Sequence, residues 1–206
     1  MAERLLLHAT HIGYADFDET AQDCQSLFQK LLDLHPLSDG ESGPMNSLER
    51  RVSDVLDLPE AIKIKTDILA AVAGYMGDWW AQSLPVSIEN RALIIQDYGH
   101  ISTHSDSREG DVTAVYFLTG QNQDINTVGN PRFVIEDERL RLDEQRMPWE
   151  GRHGFSVCPK PGRCIIFPSR VPHNQHPFRA GPDRMPHMQI VANFKFDNLP
   201  DPEDEV

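Results

Sequence analysis

What most constrains this chain is a change of hydrophobic period near residue 86. Before it, apolar residues recur at helical spacing; after it, they come in short β-rich runs. In "FDETAQDCQSLFQKLLDL", residues 17 to 34, Phe17, Cys24, Leu27, Phe28, Leu31 and Leu32 share one side of a helix that His35-Pro36 ends. A Gly, Pro and Ser-rich loop follows, then "SLERRVSDVLDL", again with helical spacing. Pro59 is well placed to start the next helix, on which Ile62, Leu69, Val72, Ala73, Met76 and Trp80 would share a face.

From there on, "SIENRALIIQDY", "DVTAVYFLTG", "PRFVIED", "GFSVCP", "RCIIFPS", "HNQHPF" and "MQIVANFKF" are separated by Gly, Pro, Asn and Asp turns. Seven or eight such strands predict a sandwich or barrel. Helices first and strands afterwards predict an α+β protein, with the N-terminal helices packed on one sheet. At 206 residues the chain suits a single domain, 1–206. Within it, 1–85 is expected to be mainly helical support, 86–196 the β core and 197–206 an acidic tail.

Composition narrows the function classes. A net charge of -13 argues against nucleic acid, whose binding needs clustered Lys and Arg. No apolar run approaches the roughly 20 residues of a membrane span, and the N-terminus reads as neither a secretory signal nor a transit peptide. Three scattered cysteines, Cys24, Cys158 and Cys164, read as buried free thiols in a reducing compartment, so the cytoplasm is the expected location. The oligomeric state is not readable.

The chemistry centres on "YGHISTHSDS", residues 98 to 107. His104 and Asp106, two apart, face the same side only on extended backbone, since a helix would turn them about 200° apart. His100 and His104 lack the Glu of a helical zinc motif. A third ligand must come from His153, His173, His176 or His187. In "PGRCIIFPSRVPHNQHPF", a strand after the Pro161-Gly162 turn breaks at Pro168, and His173 opens the next extended stretch. A barrel can bring that stretch beside the end of the His104 strand. His176, three residues on, points the other way on a regular strand, which favours His173. Two His and one carboxylate with open positions is the facial arrangement of non-haem Fe(II) oxygenases.

At this point the chain resembles the 2-oxoglutarate- and Fe(II)-dependent oxygenases, in their small prolyl-hydroxylase-like branch. "YGHISTHSDSREGDVTAVYFL" looks like the family's Tyr, Gly, His-x-Asp and apolar strand. "PGRCIIFPSRVPHNQHPFRAGPDR" looks like its Gly, apolar run, Phe-Pro-Ser, ligand His and later basic residue. The resemblance implies a double-stranded β-helix, the jelly-roll or cupin-like barrel. It also implies Fe(II) on His104, Asp106 and His173, and 2-oxoglutarate and O2 as co-substrates, with ascorbate as a supporting reductant. It assigns Arg184, eleven positions after His173, to the far carboxylate of 2-oxoglutarate, with Arg179 as the rival, and offers the Tyr98 hydroxyl as a further donor. One departure stands out: the family often has a Tyr late in the strand after His-x-Asp, where this chain puts Phe117, with Tyr116 on the opposite face by parity.

The implied reaction is hydroxylation of a small-molecule, amino-acid or peptidyl substrate, coupled to decarboxylation of 2-oxoglutarate to succinate and CO2. Two alternatives fit the same strands: a cupin-like dioxygenase or isomerase that does not use 2-oxoglutarate, and a non-catalytic small-molecule-binding barrel. Trp79, Trp80 and the loop at 121 to 130 are lid candidates, though the tryptophans equally suit a helix-on-sheet contact.

Overall fold

The computed structural model describes residues 11–36, 49–120, 133–136, 154–177 and 185–197. Its core is a pair of facing antiparallel sheets. Eight strands divide between them: β3 (Pro85–Ile95), β5 (Val112–Phe117), β8 (Arg163–Pro168) and β10 (His187–Phe196) in the larger, and β4 (Ile101–His104), β6 (Phe133–Glu136), β7 (Gly154–Val157) and β9 (His173–Gln175) in the smaller. The orders β8-β5-β10-β3 and β4-β9-β6-β7 make this a jelly roll, the double-stranded β-helix. Two more strands extend the larger sheet, β1 (Gly13–Asp16) beside β8 and β2 (Glu49–Ser53) beside β3.

Strand alternation divides the core into two compartments. Ala92, Ile94, Ala114, Tyr116, Cys164, Ile166, Met188, Ile190 and Phe194 face out of the barrel onto the helices. Leu93, Ile95, Val115, Phe117, Ile165, Phe167 and Val191 face inward, meeting Phe133, Ile135 and Val157 of the smaller sheet. The expected parity holds: Phe117 is inside and Tyr116 outside.

Helices α1 (Ala21–Leu34) and α2 (Ile62–Met76) cover the larger sheet as expected. On α1, Cys24, Leu27, Phe28 and Leu31 are buried, and the His35 N–H closes the helix on the Leu31 carbonyl at 2.9 Å. On α2 the buried face is Ile64, Asp67, Ile68, Ala71 and Val72, whereas Ile62 is exposed. The face is turned from the predicted one because Asp67 belongs inside: it accepts from the Thr20 hydroxyl (3.0 Å), the Tyr116 hydroxyl (3.2 Å) and Lys63. That knot ties α1, α2 and β5 together and keeps a buried carboxylate satisfied. Trp80, in α3 (Asp78–Gln82), packs edge-on against Phe196 at 6.2 Å, so it is a helix-on-sheet contact.

The helical expectation for "SLERRVSDVLDL" fails. Glu49 to Ser53 form β2, and Asp54, in the left-handed region at φ 57, turns the chain into a short 3-10 turn at Val55–Asp57. Pairing with β3 along five residues supplies what local spacing could not reveal.

The Pro161-Gly162 turn is a type II turn in which Arg163 N–H reaches the Lys160 carbonyl at 3.0 Å and Gly162 takes φ 80. The Gly162 carbonyl accepts from Phe17 N–H at 2.8 Å, and a Cβ there would lie 2.3 Å from the Phe17 oxygen. Gly162→Ala is therefore expected to lower unfolding free energy by about 3 kcal/mol or more, read by urea denaturation. A loss within the ordinary surface range would remove this turn as the tie between β1 and β8.

Candidate metal centre

His104 is the last residue of β4 and His173 the first of β9, and the two are direct partners across the strand pair. Their rings stand 4.4 Å apart. Asp106 lies two residues past His104, where its N–H is fixed on the Ser169 carbonyl at 2.9 Å, beyond the end of β8. The sequence expectation that extended spacing aims His104 and Asp106 together is met. His104 Nε2 is 3.6 Å from Asp106 Oδ1, and His173 Nε2 is 3.7 Å from Asp106 Oδ2. These separations are too long for hydrogen bonds. One donor atom from each of the three residues falls within 4.8 Å of the others, a grouping that could hold a metal ion.

The donor chemistry fits a divalent cation. His104 Nδ1 faces the Ser102 carbonyl at 2.8 Å and His173 Nδ1 faces the Val171 carbonyl at 3.1 Å. A carbonyl can only accept, so each Nδ1 carries the proton and each Nε2 keeps its lone pair toward Asp106. His173 is buried against Phe133 (5.4 Å) and Phe167 (4.9 Å), and this burial pushes its imidazole down from 6.5 to about 4 despite the carboxylate beside it.

A closed ring of polar groups grips Asp106. Arg91 Nη2 approaches Oδ1 at 3.5 Å while its Nη1 pairs with Glu109 at 2.6 Å. Glu109 accepts from Asn193 Nδ2 (2.8 Å), the Thr113 hydroxyl donates to Asn193 Oδ1 (2.8 Å), and Thr113 lies 3.5 Å from Asp106 Oδ2. Ser169 touches Thr113 at 2.8 Å. In "ENRALII" the signal for Arg91 is a polar residue at the inward parity shared by Leu93 and Ile95. Thr113 in "VTAVYF" and Asn193 in "MQIVANF" carry the same signal.

Deeper in the barrel, polar atoms are left over. Among the described residues, Gln175, on the same face of β9 as His173, has both amide atoms buried without a partner, and Gln189 of β10 has its amide nitrogen in the same state. Gln189 pairs across the strands with Phe117 and Gln175 with Phe133, and those two rings touch at 6.1 Å, so the amides flank one interior layer. Buried His187 completes it: its Nε2 faces Gln189 Oε1 at 3.3 Å, and its Nδ1 faces the Thr119 hydroxyl at 3.0 Å. Unpartnered buried amides mark a place where a polar ligand or water belongs. This interior layer of Gln175, Gln189 and His187 is thus uncharged, unlike the Arg91–Glu109 ring behind Asp106.

Burial also holds His187 down at about 4. Both His173 and His187 stay neutral when folded but take up protons between pH about 4 and 6.5 when unfolded. In the metal-free protein the stability that these imidazoles contribute should thus be fully present above pH 6.5 and be lost as pH falls toward 4, by on the order of 3 kcal/mol for His187, with His173 adding in the same direction. Urea unfolding at stepped pH checks this; a flat profile would show that neither ring is neutral for the reason given.

The remaining expected residues fall as follows. His176 is exposed, as its parity required, and is not part of the triad. Tyr98, at φ 64 and 56% exposed, occupies the turn between β3 and β4. Arg184, Arg179, His153 and the 121 to 130 loop lie outside the described residues. No described helix is long and apolar enough to cross a membrane. Cys24 and Cys164 are buried free thiols, while Cys158 is partly exposed.

No family model matches the chain, and no curated protein sequence does. Solved structures do. A Pseudomonas putida prolyl-4-hydroxylase superposes with a TM-score of 0.59 at 12% identity, covering 92% of this chain and 94% of that one. A Trichoplax adhaerens prolyl hydroxylase in complex with a hypoxia inducible factor peptide fragment gives 0.59 at 15%, covering 89% and 83%. The epimerase SnoN in complex with Fe3+, alpha ketoglutarate and nogalamycin RO gives 0.61 at 14%, covering 90% and 79%. With eight strands in jelly-roll order and the likeness spread over nearly the whole chain, the protein has the double-stranded β-helix fold that these prolyl hydroxylases and the epimerase share.

Proposed function

We propose that this protein is a 2-oxoglutarate- and Fe(II)-dependent dioxygenase that hydroxylates an unactivated C–H bond of a small-molecule, amino-acid or peptidyl substrate. The observation that carries the reading is the convergence of His104, Asp106 and His173 at the end of a jelly roll, with both Nε2 lone pairs turned toward the carboxylate. The bound metal and cosubstrate of SnoN, and the peptide bound by the Trichoplax enzyme, support the same cofactors and substrate classes here.

In this reading His104, Asp106 and His173 are the residues that would hold Fe(II). Bound there, Fe(II) would supply O2 activation coupled to conversion of 2-oxoglutarate to succinate and CO2, with one oxygen atom going to succinate and the other to the substrate. The protein's own part is orientation and dryness. Phe133 and Phe167 wall His173 from water, and the Nδ1 hydrogen bonds keep both imidazoles in the ligating tautomer. Gln175, Gln189 and His187 give the interior polar partners for a ligand reaching in from the metal. Arg184 is proposed to grip the far carboxylate, and the Tyr98 hydroxyl to assist from the β3–β4 turn, the end of β3 that pairs with the start of β10. We further propose a single domain over 1–206, a cytoplasmic location and no nucleic-acid partner, on the charge of -13 and the cysteine usage.

The test is succinate formation from 2-oxoglutarate under air with added Fe(II), against panels of amino acids, peptides and small metabolites. Uncoupled or substrate-stimulated succinate is expected. Stoichiometric iron binding with neither 2-oxoglutarate binding nor succinate would instead identify a cupin-like metalloenzyme, and failure to retain iron a binding barrel without turnover.

A further inference from the structure

Arg91 sits between two carboxylates and is shared unequally. It makes a 2.6 Å ion pair with Glu109 and only a 3.5 Å approach to Asp106. Glu109 is placed by the chain immediately after the ligand: its N–H and that of Gly110 both donate to the Asp106 carbonyl, at 2.8 and 3.2 Å. The turn is then docked onto β10, where Asp111 N–H reaches the Phe194 carbonyl at 2.8 Å and the Asp111 carboxylate accepts from Phe196 N–H at 2.9 Å. At Gly110 a Cβ would stand 2.8 Å from that same Phe194 oxygen, so the turn fits closely against the strand. Asn193 Nδ2 donates at 2.8 Å to Glu109 Oε2, the same oxygen that Arg91 engages.

We propose that Glu109 is a positioning residue that holds Arg91 away from Asp106 and thereby sets the affinity of the triad for its metal. The proposal rests on the metal-binding reading above. A guanidinium with two acidic neighbours satisfies itself on the nearer one. If Glu109 loses its charge, Asp106 is the anion left to Arg91, and their 3.5 Å approach can close to an ordinary ion pair of about 2.8 Å. Asp106 would then be neutralised from within the protein and become a poorer donor to a cation. With Glu109 charged, the carboxylate of Asp106 stays available between the two imidazoles.

The test is Co(II) titration of the full chain, followed by visible absorption and without 2-oxoglutarate or substrate. Glu109→Gln preserves size and the acceptor for Asn193, and is expected to weaken Co(II) binding by about tenfold to a hundredfold. Glu109→Asp, which keeps the charge, is expected to lose less. The decisive variant is Glu109→Gln combined with Arg91→Met: with no guanidinium to collapse onto Asp106, affinity is expected to return to that of Arg91→Met alone. A purely structural role for Glu109 would not be rescued by removing Arg91. Unchanged binding in Glu109→Gln, an equal loss in Glu109→Asp, or a double variant as weak as Glu109→Gln would each overturn the proposal while leaving the metal site standing. Failure of the wild-type protein to bind Co(II) would overturn both.

Discussion

Asp106→Ala is expected to weaken Fe(II) binding by on the order of a hundredfold or more and to abolish succinate formation, while the protein remains folded. Asp106 is the one anion of the triad, 2% exposed, and it lies between His104 Nε2 and His173 Nε2 at 3.6 and 3.7 Å. Its removal leaves two imidazoles without the carboxylate and, close behind them, Arg91 in its pair with Glu109. A divalent cation entering that space would lose its one anionic ligand of the triad, and the Arg91–Glu109 pair behind it would supply none in its place. The fold should survive, because Arg91 keeps its 2.6 Å pair with Glu109 and the Asp106 N–H to Ser169 bond belongs to the backbone. Asp106→Asn separates charge from shape: the amide retains the volume and an oxygen donor, so affinity loss close to that of Ala would assign the effect to charge. Anaerobic iron titration with a urea-unfolding control reads both. Wild-type iron affinity in Asp106→Ala would dismantle the site.

The legible part of this protein is what short-range periodicity can carry. "THSD" on extended backbone gives two donors on one side, and the break at Pro168 before His173 gives a strand start; the barrel then places them as direct cross-strand partners. The parity that put Phe117 inside and Tyr116 outside is equally local, since it needs only a count of two. What escaped depends on partners distant in sequence. β2 looks helical until its pairing with β3 is known, and the α2 face cannot be oriented until Tyr116 and Thr20 are seen to need Asp67. The grip on Asp106 has the same origin, with Arg91, Thr113, Ser169 and Asn193 coming from β3, β5, the end of β8 and β10. Each is only a polar residue at an inward position when read alone. A polar residue at inward parity in an apolar strand, such as Gln189, is therefore the most useful signal this sequence offered and the one least exploited.

That signal bears on the far end of the proposed cosubstrate site, where Arg184→Ala is expected to raise the Kd for 2-oxoglutarate by about tenfold to a hundredfold, with iron affinity unchanged. Arg184 stands three residues ahead of His187, the first residue of β10, whose start pairs with the end of β3 at Ile95. The described polar layer of the barrel interior is neutral: Gln175, Gln189 and a His187 kept uncharged by burial. Neutral donors can hydrogen-bond a carboxylate but cannot balance its charge in a dry interior, and a guanidinium fork can do both. Arg184→Lys should accordingly recover part of the loss, and Arg179→Ala should change little. The comparison that decides is 2-oxoglutarate against 2-oxopentanoate, which chelates a metal in the same way but lacks the far carboxylate. If Arg184 holds that group, the Ala variant loses affinity for the first and not the second. An equal loss for both ligands, or a parallel loss of iron, would return Arg184 to a structural role and leave the neutral layer as the ligand's partner.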